Sequence, residues 1–317
     1  MCCKQLSHQA SQRKPKWVTA VQAVESVKIT TLADNVVYHS ELLGQWGFSA
    51  HLEIRDSHGE KHVVIFDTGG MRSALLYNIK ALKLDLSRLE CIFLSHGHCD
   101  HTSATVELIR KAGRNVKVVV HPSIFYPRFG IEKGKKQHYG IPKGERREDI
   151  VKARGELVET TRPVEILPGV STSGEIRRVT PFEKITWKGR ALIDGKQVID
   201  RVPEDQALFI NLKKRGVLVV SGCAHAGIIN TLQCASDVTK TKLYGFVGGT
   251  HLIRPKEPRL TQTLKELRDF DLKLISPAHC TGHKSIAAIN QTFPEAFVLN
   301  YAGRVIDTAK KIKNPVL

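Results

Sequence analysis

Leu94-Ser95-His96-Gly97-His98-Cys99-Asp100-His101, LSHGHCDH, follows directly on the apolar run Cys91-Ile92-Phe93. Three histidines and an aspartate thus stand within six residues at the end of a buried strand. Unpaired, such groups cost several kcal/mol each to bury, so packing alone gives no reason for them. Imidazole and carboxylate suit transition metals. His96 and His98 are two apart, and an extended stretch projects both to one side, with Gly97 letting the backbone bend between them. Asp100 and His101 fall where the chain turns into a helix, aimed at a second point about 3.5 Å away, the spacing of two-metal sites. The segment reads as holding one metal and part of a second, with Cys99 pointing away.

The same plan recurs downstream. Gly216 to Val220 forms a strand, followed by SGCAHAG and a helix marked by Ile228, Leu232 and Ala235; Leu272 to Ile275 leads into SPAHCTG and the helical SIAAINQTF. Upstream, Val27 to Thr31, Ala50 to Ile54 and His62 to Phe66 alternate as strands, and Leu75, Ile79 and Leu82 recur at helical spacing. A helix is predicted from about Thr102 to Lys111, ended by Gly113. Alternating strands and helices imply a layered α/β fold, whose sites gather beyond the carboxyl ends of strands. The three polar loops can therefore face one another. His225, in a glycine-bounded loop after a buried strand, is a candidate ligand. His251, after the strand-like Leu243 to Val247, is a candidate for substrate contact or proton transfer.

HxHxDH is the signature of the metallo-β-lactamase superfamily, which the chain resembles over about residues 44–305 through WGFSAHLEI, FDTGG, LSHGHCDHTSA, TSGEIRRVTPFE, EDQALFINLKKRGVLVVSGCAHAGIIN, VGGTHL and SPAHCTG. The closer likeness is to the dihydropterin ribofuranosyl-aminobenzene phosphate synthase-like group. The resemblance implies an αβ/βα four-layer sandwich with two mixed β-sheets flanked by helices, spanning 26–317 as one domain. It implies two divalent ions, Zn2+ with Mn2+ or Fe2+ as alternatives, held by His96, His98, Asp100, His101, His225 and His279. Asp67, ending the strand of IFDTGG, matches the family's first motif and is expected to orient a ligand histidine from behind. The usual histidine of a PGHT-like loop is missing from LPGVST, which leaves the third ligand of the first metal to His225. Cys223 stands where relatives carry a bridging aspartate or cysteine, and is expected to support the ligands.

A metal-activated hydroxide would then attack an ester, lactone or phosphoester. Asp100 and His251 are the expected catalytic groups, and Arg177 and Arg178 the expected contacts to an anionic substrate. A pterin-type transferase releasing pyrophosphate is one alternative, and a nuclease another. The net charge of +17 allows nucleic acid, but aromatics are only 6% and no separate binding domain is visible, so a small anionic substrate is favoured. An iron redox enzyme is disfavoured, since the flavodiiron branch usually has a glutamate where His98 stands and no flavin domain follows.

Residues 1–25 read as a flexible basic tail, with Cys2 and Cys3 a weak acylation pattern. Arg128 to Glu148, rich in lysine, arginine, glycine and proline, reads as a mobile basic excursion reaching about residue 155. Seven cysteines, an odd count, make no disulfide framework. With no membrane-length apolar run and no secretory leader, a cytoplasmic protein is expected.

Overall fold

The computed structural model describes residues 22–132, 134–184, 189–254 and 258–312. Most of the expected tail, including Cys2 and Cys3, lies outside the described residues, as does Lys133. The first half of the chain runs β1 (Ser26–Ala33), β2 (Ser49–Arg55), β3 (Lys61–Phe66), α1 (Arg72–Ala81), β4 (Leu89–Phe93), α2 (Cys99–Thr102), α3 (Thr105–Ala112), β5 (Val116–Val120), β6 (Arg128–Glu132), β7 (Lys135–His138), α4 (Arg147–Lys152) and β8 (Gly155–Glu159). The second runs β9 (Glu165–Leu167), β10 (Val170–Thr172), β11 (Arg190–Ile193), β12 (Lys196–Ile199), β13 (Ala207–Leu212), β14 (Gly216–Ser221), α5 (Ile228–Thr239), β15 (Leu243–Gly249), α6 (Arg259–Asp269), β16 (Leu274–Ala278), α7 (His283–Thr292) and β17 (Val305–Asp307).

Among the described residues these strands form three sheets. One has the order β17-β1-β2-β3-β4-β5-β8, a second β16-β15-β14-β13-β10-β9. Both are mixed. Antiparallel pairs join β17 through β3 and β9 through β14, whereas β3-β4-β5-β8 and β14-β15-β16 are parallel. Strand alternation explains the layers. Leu52, Ile54, Val64, Phe66, Cys91 and Phe93 of the first sheet share a core with Leu208, Ile210, Leu218, Val220 and Val247 of the second. Their alternate neighbours face outward: Val63, Ile65, Ile92 and Val118 pack on Leu75, Ile79, Leu108 and Ile109, and Phe209, Val219, Phe246 and Ile275 on Ile228, Leu232, Leu267 and Ile289. Parallel strands buried on both faces read as near-continuous apolar runs, which is why β4 and β14 stood out in the sequence. Helix, sheet, sheet, helix is the expected four-layer sandwich.

The register sets the site's position. Phe66 pairs with Phe93, so β3 and β4 end level. Ser221 pairs with Gly248 and Gly248 with Pro277, so β14, β15 and β16 also end together. Beneath the first pair, the rings of Phe48, Phe66 and Phe93 form a contiguous aromatic floor, with centroids 6.0 and 5.3 Å apart.

Two expectations are corrected. The helix over Thr102 to Lys111 is broken at Ser103 and Ala104. Their N–H groups donate to Gly69 O (3.1 Å) and Thr68 Oγ1 (3.2 Å), so the donors a continuous helix would use internally are spent on the FDTGG loop. The basic stretch is built into the fold rather than looped out from it. β6 and β7 join β11 and β12 in a third, four-stranded antiparallel sheet, β12-β11-β6-β7. Ile150 of α4 is buried in the core of the first sheet, and β8 is that sheet's edge. Arg128, which opens the stretch, is buried between two carboxylates. The chain also enters the core earlier than expected, since Val24 is fully buried and bridges Leu212. Among the described residues, no helix is long and apolar enough to cross a membrane.

Candidate metal centre

Each strand end delivers one part of a cluster of donors. β4 runs into His96, His98 and the turn that carries Asp100 and His101; β14 runs into Cys223 and His225; β16 ends beside His279. The donor atoms of His96, His98 and His225 lie within 4.8 Å of one another, as do those of Asp100, His101 and His279. The first three rings stand edge to face around one point, with centroids 4.7 to 4.8 Å apart. The triads meet where the His96 and His101 rings approach to 4.2 Å. Cys223 joins them: its Sγ is 3.2 Å from His101 Nε2 and groups with His96 and His101.

Hydrogen bonds behind the rings fix which nitrogen faces the cluster. Asp67 accepts from Ser95 N and Ser95 Oγ, both at 2.7 Å, and from His101 Nδ1 at 2.7 Å. A carboxylate can only accept, so His101 Nδ1 carries the proton and Nε2 faces Cys223 and Asp100. The Ser95 hydroxyl hydrogen is committed to Asp67, so Ser95 Oγ accepts from His96 Nδ1 at 2.9 Å. His279 Nδ1 lies 3.0 Å from Asn35 Oδ1, an acceptor, which turns its Nε2 toward Asp100 Oδ2 at 3.4 Å. Backbone strain collects here too: Asp67, Ala224, His251 and His279 all hold φ between 47° and 52°, a conformation that surrounding structure must enforce.

The Nε2 atoms of His96 and His225 are buried and make no hydrogen bond among the described residues. Burial, reinforced by the neighbouring imidazoles, pushes both rings far below the ordinary histidine pKa, so they are neutral with lone pairs exposed to the cluster. Burial opposes ionisation of Asp100, but the imidazoles of His101, His279 and His98 outweigh it and hold this carboxyl below the usual range. A carboxylate and five imidazoles converge on one space, where the Cys223 thiol lies against His101 Nε2 while, among the described residues, the Nε2 atoms of His96 and His225 meet no donor. Lone pairs facing one another cost free energy unless a cation stands between them, so the residues present fit bound metal.

Other sequence candidates are placed less directly. The His251 ring leans on His225 at 4.4 Å but joins none of the donor groups. Burial first, then the Arg259 charge, lowers its pKa to about 4. Arg178 does not offer its guanidinium to the cluster: Nη1 donates to His225 O (2.6 Å), and Nη2 to Arg201 O (2.8 Å) and Val202 O (3.0 Å). It therefore pins the loop that carries His225. Arg177 lines a separate surface depression with Glu175, Asn230 and Asp237.

Several participants escaped the sequence reading. Asp200 Oδ2 is 3.8 Å from His98 Nε2 and 3.2 Å from Arg128 Nε. Glu204 accepts from Gly97 N and pairs with Arg128. Gly97 is required here, since a Cβ would lie 2.5 Å from Ile124 O and 2.6 Å from Arg128 Nη1. Cys280 groups with Cys223 and His279. Asn35, far upstream, also accepts from Gly47 N. The signals available were faint: Cys280 adjoins His279, and Glu204 and Asp205 open the EDQALF stretch.

The family model of the metallo-beta-lactamase superfamily matches residues 52–279. The chain is 32% identical over 291 residues to the 7,8-dihydropterin-6-methyl-4-(beta-D-ribofuranosyl)-aminobenzene-5'-phosphate synthase of Methanocaldococcus jannaschii, covering 89% of this chain and 97% of that one. An uncharacterized protein of the same organism is 29% identical, covering 88% and 99%. Among solved structures, a metal-dependent hydrolase of the beta-lactamase superfamily superposes with a TM-score of 0.73 at 22% identity, over 88% of this chain and 98% of its own. The metallo-beta-lactamase fold protein YhfI from Bacillus subtilis gives 0.54 at 11%, over 89% and 99%.

Proposed function

From its membership of the metallo-β-lactamase superfamily, we propose that the chain is a dinuclear metal-dependent hydrolase acting on an ester, lactone or phosphoester of a small anionic substrate. One observation carries this reading: two triads of donors, His96-His98-His225 and Asp100-His101-His279, adjoin each other with buried nitrogen lone pairs turned inward. His96, His98 and His225 would hold one ion, and Asp100, His101 and His279 the other, with Cys223 placed between them. Imidazole-rich donors with a carboxylate and a thiol favour zinc. Bound there, two divalent ions would polarise a carbonyl or phosphoryl oxygen and supply a nucleophile from water near neutral pH.

The chain's own residues have separate tasks. Asp67 and Ser95 hold the His101 and His96 rings by their far nitrogens, so both tautomers are set before a metal arrives. Asp100, ionised and with its side chain 18% exposed, can accept a hydrogen bond from the attacking water. His251, neutral at neutral pH and standing against His225, would contact the substrate or transfer a proton. The net charge of +17 suits an anionic substrate.

A second reading, group transfer with pyrophosphate release, is favoured by the likeness to a synthase over 97% of that protein's length. The two part in one assay: transfer requires an amine acceptor, hydrolysis only water. Metal analysis of the purified protein, coupled to a panel of phosphodiesters, lactones and thioesters, tests the proposal. His98→Ala and Asp100→Ala are each expected to lose metal and activity together while remaining folded. Activity persisting in both variants would remove the mechanism.

A further inference from the structure

We infer that Trp46 determines substrate choice, its indole serving as a platform for a flat aromatic or heteroaromatic ring held beside the second donor triad. This rests on the metal-dependent reading above and names a substrate class for the same site. Scattered exposed apolar side chains are ordinary. Trp46 is distinguished by what it touches. Its ring meets His279 edge to face, with centroids 5.0 Å apart, yet it remains 56% exposed. Its backbone is clamped. A Cβ on Gly70 would collide with Trp46 O, and one on the adjoining Gly47 would collide with Asp100 O. Gln45 Oε1 accepts from Gly70 N (3.0 Å) and Met71 N (2.7 Å), which ties the same segment to the FDTGG loop.

The location follows from exposure. Of the six donors, Asp100 has the most open side chain, at 18%, against 9% for His98 and 1% for His279. The cluster therefore meets solvent on the side of Asp100, and Trp46 stands there, its ring against His279 and its neighbour Gly47 against the Asp100 carbonyl. An indole held on a fixed backbone with its ring in water has unspent apolar surface, which an incoming ring would cover with little loss of side-chain freedom. Met71, also 56% exposed, follows Gly70 at the same rim.

The test compares phenyl phosphate with methyl phosphate, which share a head group and differ by the ring. Binding to zinc-loaded protein is measured by calorimetry, and by indole quenching in a Trp17→Phe/Trp187→Phe background that leaves Trp46 as the sole tryptophan of the three. In the natural protein phenyl phosphate should bind about tenfold tighter and quench the indole. In Trp46→Ala that preference, read as the ratio of the two affinities in zinc-loaded protein, should fall to about twofold, with Trp46→Phe between. An undiminished preference in Trp46→Ala, with methyl phosphate still bound, overturns the platform alone. Failure of the natural protein to hold zinc or either phosphate overturns the metal-centre reading, and the platform with it.

Discussion

Arg128 offers the sharpest test of what supports the metal-bearing turn. Its side chain is 1% exposed and both terminal nitrogens are hydrogen-bonded or paired: Nη1 with Ile124 O (2.9 Å) and Tyr126 O (3.1 Å), Nη2 with Ser123 O (2.9 Å) and Glu204, while Nε stands 3.2 Å from Asp200 Oδ2 as an ion pair. Arg128→Met keeps the stem but strands two carboxylates that are themselves 1% and 0% exposed. Breaking a buried ion pair from one side costs about 3–5 kcal/mol. The partners retain some bonds, since Glu204 still accepts from Gly97 N and Asp200 from Val202 N. A loss of about 4 kcal/mol is therefore expected, a large share of the roughly 5–15 kcal/mol that holds a domain together. Urea unfolding of the chelator-treated protein measures it, read from midpoint and slope together. The triple variant Arg128→Met/Asp200→Asn/Glu204→Gln should recover most of the loss, because it removes the unpaired charges with the pairing cation. The single variant should also suffer less at pH 5 than at pH 8, since the stranded carboxylates escape their penalty by taking up protons. A cost below about 1 kcal/mol, with no benefit from the triple variant, would refute the view that Arg128 braces this turn.

Two further outcomes follow from the same geometry. Asp67→Asn preserves shape, and asparagine tolerates the positive φ of 52°, but its single accepting oxygen cannot serve Ser95 N on one side and Ser95 Oγ with His101 Nδ1 on the other; zinc affinity by competitive chelation should fall about 10–100-fold with little change in melting temperature, and retention within about threefold would contradict the orienting role. The two triads should also differ in pH dependence. Burial opposes protonation of His101, but Asp100 and Asp67 prevail and raise its pKa above 6.5, whereas His96 and His225 are far below it. A proton on His101 stands in for the ion and must leave before metal binds. Second-site affinity should therefore fall as pH drops through the raised His101 pKa, by up to about tenfold per unit, while the first site stays flat above pH 6.5. Parallel titration of both sites would refute this.

Legibility followed sequence distance. HGHCDH announced itself because four donors are neighbours along the chain, His225 because it follows a buried apolar strand, and Asp67 and His279 through their likeness to the family's motifs. The layers were legible for the same reason, since β4 and β14 are buried on both faces. β11 and β12 were missed because they are short and largely exposed, with no alternation to betray them. Asn35 and Asp200 lie in loops whose composition is unremarkable, and only the folded chain brings them to His279 and His98.

The basic stretch shows where composition misleads. Charge counted along a sequence is read as surface, because isolated charges are seldom buried. Arg128 reverses that inference: it is buried because Asp200 and Glu204 arrive from the far end of the third sheet to neutralise it. The pairing does more than neutralise. Through Glu204 it holds Gly97 N, and through Asp200 it stands against His98, so the hairpins that looked like a mobile appendage bear directly on the turn that carries His96 and His98. A loop free to move could not fix those rings to the few tenths of an ångström that metal coordination demands. The donors are therefore written in one short motif, while their rigidity is distributed over residues that no local pattern identifies.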